Sequence, residues 1–173
     1  MMQKSLVLVF LALLPLLCSG KVDPPNYNFE LKSLDVFFPG KEVKDAGESK
    51  ELAREGSSVS LRFEVKHLRY VFPVLAQAKD GKFTDFMARL PQYFSHDLFH
   101  QSLINKLGKQ DSYLNKDGTA VYQWKNKDGL RHVYAGACTI TCFPIYYAVY
   151  PEGSEEKEPK PTLIRFLRLE VKE

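Results

Sequence analysis

Hydrophobic and polar positions alternate most strictly between residues 59 and 66. Val59, Leu61, Phe63 and Val65 are apolar, and Ser60, Arg62, Glu64 and Lys66 between them are polar. A period of two is the mark of a strand with one face buried and one face wet. Tyr70 to Ala78 is a second apolar run, and Asp80-Gly81 after it carries the chemistry of a tight hairpin, so Lys82 to Leu90 is expected to return as the partner strand. Earlier, Phe29 to Phe38 reads as a first strand stopped by Pro39-Gly40. Lys41 to Ser58 reads as a charged loop with a helical turn around Ser49 to Arg54.

The period changes after Pro91. Leu98, Phe99, Leu103, Ile104 and Leu107 recur at spacings of three and four, which predicts an amphipathic helix over about 95–107. Ser95 suits the N-cap, Asp97 complements the helix dipole, and Gly108 suits the position just past the end. Ala120 to Trp124 then reads as a strand and Asn126 to Gly129 as a turn. Leu130 to Tyr150 is strand-like and is expected to break at Gly136 or Pro144, because proline has no N–H for a ladder. Glu152 to Pro161 is a solvated acidic loop, and Thr162 to Val171 a final strand. No internal repeat stands out at a regular period. Helix and strands are segregated, so the expected fold class is α+β with an antiparallel sheet. The domain covers 29–173, as one unit or as two subdomains dividing near residue 91.

Ahead of the domain, Lys4 precedes an almost purely apolar run from Ser5 to Leu17. About thirteen residues fit the core of a secretory signal and fall short of the ~20 that span a bilayer as a helix. Cleavage after Gly20 would place Cys18 and Gly20 at −3 and −1. Leu16-Leu17-Cys18-Ser19-Gly20 also resembles a bacterial lipobox. That resemblance implies a lipid on Cys18, a signal ending at residue 17, and retention on a membrane by acyl chains. Lys21 to Asn28 is polar and proline-bearing, a tether. Export is expected in either case: to the periplasm, to the outer membrane through a lipid anchor, or into the medium.

Composition narrows the function classes. The chain is 45% hydrophobic and 26% charged, which excludes a disordered chain, and its formal charge is only +3. Lys and Arg alternate with Asp and Glu, with no basic stripe, so nucleic acid is excluded as a partner. No cofactor motif is present, and neither a phosphate loop nor a nucleophile elbow occurs. The acids Asp35, Glu64, Asp80, Asp85, Asp97 and Asp111 have no spacing that forces a catalytic pair together.

Three constellations carry candidate chemistry. His96 and His100 lie four apart, so on a helix they share a face and could ligate one Zn²⁺, with Asp97 where a general base would stand. A third ligand would have to be His67 or His132. The competing reading is a pair of solvent-facing histidines flanking Phe99 and Leu103. Cys138 and Cys142 form a disulfide if their segment bends. If it stays extended they lie ~13 Å apart, beyond the ~7 Å a disulfide allows, and pack as small buried thiols. Tyr146, Tyr147 and Tyr150 could face a partner or ligand, since tyrosine gives large contact area at low entropy cost. They could equally be a sheet buried on its faces.

Residues from about Pro91 to Ala137 resemble the SmpA/OmlA (BamE-like) outer-membrane lipoprotein domain. The pieces are Ser102 to Gly108 ending a helix, Val121-Tyr-Gln-Trp124, and His132-Val-Tyr-Ala-Gly136. The resemblance implies a small lipoprotein that supports an envelope assembly through protein–protein contacts, without catalysis. The leading expectation is therefore a non-enzymatic, exported binding or scaffold protein of the bacterial envelope. The alternatives are an exported metal-dependent hydrolase using His96 and His100, and a secreted enzyme inhibitor, which rests on fold analogy alone.

Overall fold

The computed structural model describes residues 32–67, 70–91, 96–116, 118–137 and 144–167. The signal segment, the tether, Cys18, Ser95, Cys138 and Cys142 lie outside them. The described strands are β1 (Lys50–Glu55), β2 (Ser58–His67), β3 (Tyr70–Lys79), β4 (Lys82–Leu90), β5 (Ser112–Lys116), β6 (Thr119–Lys127), β7 (Leu130–Ala137) and β8 (Ile145–Pro151). Helix α1 (His96–Leu107) follows β4, and α2 (Thr162–Leu167) follows β8. All eight strands join one antiparallel sheet in the order β1-β2-β3-β4-β8-β7-β6-β5.

That order contains a repeat the sequence did not suggest. β1–β4 and β5–β8 are each a four-stranded meander, and exchanging the two leaves the strand order unchanged. Their last strands meet at the centre, where Phe86 lies opposite Val149 and Leu90 opposite Ile145. The division near residue 91 is thus spanned by a continuous hydrogen-bonded seam.

The pleat sends alternate side chains to two different cores. On the first face Phe63, Phe72, Phe86, Trp124, Tyr134 and Tyr147 are buried together under Phe99 and Leu103 of α1. On the second face Met87, Val121, Val133, Ala148 and Tyr150 are buried under Leu163 and Ile164 of α2. Each fully buried large apolar side chain contributes roughly 1.5–3 kcal/mol, so both layers matter. The hairpin signals are realised as expected: Asp80 and Gly81, and again Asp128 and Gly129, take positive φ as a type I′ turn requires.

Three expectations are corrected, and one strand is new. The described part of the supposed first strand is a 3-10 helix, Lys32–Phe37. Leu34 and Phe37, three apart, both drop into the first core, and a three-residue period is what a 3-10 turn stacks on one side. The helical turn proposed around Ser49 to Arg54 is strand β1, whose six residues are all exposed, so no burial pattern marks it. Thr162 to Val171 is helical where described, Thr162–Leu167. Its start is held by tertiary contact: the Thr162 N–H donates to Asp85 Oδ1 at 2.9 Å. Finally, Ser112–Lys116 is a strand with no predicted counterpart, because its residues are mostly exposed.

Candidate functional site

The chemistry-bearing side chains are mostly spent on structure. His100 lies against the aromatic face of the sheet, with its ring centroid 4.0 Å from that of Tyr122 and 5.8 Å from that of Tyr134, almost parallel to the latter. The side chain of His96 lies outside the described residues. Among the described residues no three His, Cys, Asp or Glu side chains converge to hold a metal. His67 and His132, the only other histidines, lie on β2 and β7, separated in the sheet by β3, β4 and β8.

The tyrosine run is not a surface. Tyr146, Tyr147 and Tyr150 are all buried. The hydrophobic stretch continues through both faces of β8 because β8 is a central strand covered on each side. Tyr146 points to the second face, where its ring meets Phe166 of α2 at 5.1 Å. Tyr147 points to the first face, and its hydroxyl shares a 2.8 Å hydrogen bond with Nδ1 of His132. Burial pushes the Tyr147 phenol well up from its ordinary range. Burial, reinforced by Lys106, pushes His132 down to about 4. Both partners are therefore uncharged at neutral pH, and one proton serves the bond between them.

Two further buried polar groups act as fasteners. Asp85 accepts from the Thr162 N–H and, at 3.3 Å, from the Thr84 hydroxyl. Burial raises its pKa despite these bonds. Beside it, Gln77 donates to the Lys160 carbonyl at 2.9 Å. A cavity of about 280 Å³ opens here, lined by Gln77, Lys79, Thr84, Asp85, Lys157 and Pro159 among others. Across the same face Arg131 binds Glu152, Nε to Oε2 at 3.2 Å, and also Glu155. That pairing lowers the Glu152 pKa. Asp85 was visible in the sequence only as one of several scattered acids. The clue for His132 is its alternation with Tyr134 on an apolar strand.

Among the described residues, what the fold leaves open is its two edges. β1 ends the sheet on one side and β5 on the other. β5 exposes Tyr113 by 55% and Leu114 by 45%, one on each face. Tyr113 is the outer end of an aromatic row that continues through Tyr122, at 5.1 Å, to Tyr134, at 6.1 Å. Among the described residues no helix is long and apolar enough to cross a membrane. The described residues thus define a class: a mostly-β α+β protein with a covered sheet whose two edge strands each pair with one described strand. No protein-family model, curated protein or solved structure matches the chain.

Proposed function

We propose that this chain is an exported, non-enzymatic binding or scaffold protein of the bacterial envelope, and that it meets a protein partner along the β5 edge. The observation that carries this reading is the division of labour just described. Buried groups fasten the fold, while β5 presents an edge that no other described strand covers, flanked by exposed Tyr113 and Leu114. An unpaired strand edge is a ready template for another chain's strand. Within the segment that resembles SmpA/OmlA, Trp124 Nε1 donates to the Gly108 carbonyl at 2.7 Å. It ties the Leu-Gly end of the helix to the Trp strand, two of the three pieces on which the resemblance rests. The segment Ser5 to Leu17 acts as the export signal, and Cys18 is the candidate anchor.

Two measurements test this. Intact mass of the protein from its native envelope should begin at Cys18 with acyl chains, for an anchored lipoprotein, or at Lys21 without lipid, for a released one. A mass retaining the first residues would overturn export. A photo-crosslinking residue in place of Tyr113 should give a defined adduct with an envelope protein, whereas one in place of the exposed Asp45 should not. Equal labelling from both positions would reject the β5 edge as the binding site.

A further inference from the structure

At the opposite edge, we propose that β1 pairs antiparallel with β1 of a second copy of this chain, making one continuous sheet through both molecules. This does not depend on export or on a partner at β5. All six β1 residues are exposed, and among the described residues β1 is bonded to β2 alone. Edge strands usually escape such pairing through charges that repel or through bulges. β1 has both charge and a bulge, but its charges are arranged to attract a copy of itself.

The order is Lys50-Glu51-Leu52-Ala53-Arg54-Glu55. Antiparallel pairing centred between Leu52 and Ala53 sets Lys50 opposite Glu55 of the second copy and Glu51 opposite its Arg54. Leu52 then meets Ala53. Every charge faces its opposite.

The faces agree as well. The bulge between Glu51 and Ala53 puts Glu51 opposite Leu61 and Arg54 opposite Val59, both on the first face. The Arg54 Nε, 3.0 Å from Glu51 Oε1, confirms that these two side chains share a side. Lys50 and Glu55 lie opposite Arg62 and Ser58, on the second face. A two-fold axis perpendicular to the sheet keeps each face on its own side, so both kinds of ion pair belong to this one register.

Exposed ion pairs contribute little each. Their part here is to set the register, while the unpaired backbone and the half-exposed Leu52 supply the attraction. The fold already contains a seam of this kind, since β4 and β8 join the two meanders through five antiparallel residue pairs. The β5 edge lacks the property. Paired with itself, it would set Ser112 against Lys116 and Tyr113 against Asn115, with no opposite charges.

The test is sedimentation equilibrium on the purified protein and two variants, Glu51→Lys and Arg54→Glu. Wild type should dimerise with rising concentration. Each variant alone places like charges opposite each other twice, and should dimerise at least about tenfold more weakly. An equimolar mixture of the two variants should recover a dimer, because each new charge then faces its opposite on the other variant. Both sites are exposed, and circular dichroism checks that the fold is kept. A wild type monomeric at every concentration overturns the proposal. So does a dimer that ignores both substitutions, or a mixture no stronger than its components.

Discussion

The two meanders share a topology and differ in the chemistry of their cores. In the first, on the face under the 3-10 helix, phenylalanine rings meet one another: Phe37 lies 4.9 Å from Phe63, 5.5 Å from Phe83 and 6.1 Å from Phe86. Its lid is a six-residue 3-10 helix. In the second, the same face carries Tyr122, Trp124, His132, Tyr134 and Tyr147 under the three-turn helix α1. Those rings bring donors and acceptors into the core, and each must find a partner. The lesson is that one architecture tolerates a dry core or a hydrogen-bonded one. On this face, the second carries the penalty when a bond is lost or a proton is gained.

The largest expected effect that exposes this contrast is at Trp124, which is completely buried. Trp124→Ala should cost about 3–5 kcal/mol in urea denaturation, and Phe63→Ala in the first meander about as much. The difference lies in a gentler pair of substitutions. Trp124→Phe keeps most of the volume but leaves the Gly108 carbonyl without its 2.7 Å donor, and should cost roughly 1–2 kcal/mol through that bond. Phe63→Leu has no such component, and its cost should follow volume alone. If Trp124→Phe is neutral, the hydrogen-bonded character of the second core does not contribute to stability.

Next in size is acid sensitivity. His132 is buried beside Tyr147, and Phe38 packs at 5.9 Å over its ring. Its folded-state pKa is down to about 4 against an ordinary 6.5. The unfolded chain therefore takes up the proton first. Stability from this group is complete above pH 6.5, falls as pH drops toward 4, and levels off below. The loss should approach about 3 kcal/mol at its limit. Asp85 works in the opposite sense. Its raised pKa means that its contribution is complete at low pH and declines as pH rises through the folded-state value. Subtracting the pH profile of His132→Asn from that of wild type cancels the Asp85 part. The difference should slope between pH 6.5 and about 4, and a flat difference would show that His132 titrates normally in the fold.

Much of the sheet was legible in the chain, and the places that were not share a cause. β2 is wet on one face and buried on the other, so Val59 to Lys66 announces it directly. α1 is legible for the same reason at a helical period. β1 and β5 are edges with little buried on either face, so no periodicity marks them. Thr162–Leu167 looked like a strand because Leu163, Ile164 and Phe166 fit either period, and its helical start depends on Asp85, distant in sequence. Strand order is also non-local. The self-complementary order of charges in Lys50 to Glu55 is plain in the sequence, but it means something only once β1 is known to lie at the edge of the sheet.

The smallest effect tests where the two meanders are fastened together. α2 follows the second meander but is anchored on the first, through Asp85 and Gln77. Asp85→Ala leaves the buried Thr162 N–H without an acceptor and should cost about 1–3 kcal/mol. Asp85→Asn retains an acceptor oxygen and removes the expense of a buried carboxylate, so it should cost less than about 1 kcal/mol. Hydrogen exchange gives the location. Asp85→Ala should speed exchange across Leu163 to Leu167 far more than in β2 or β3, because α2 would open before the sheet does. If exchange rises equally in all three, α2 is not a separately released clasp, and the seam between β4 and β8 must be weaker than its central position suggests.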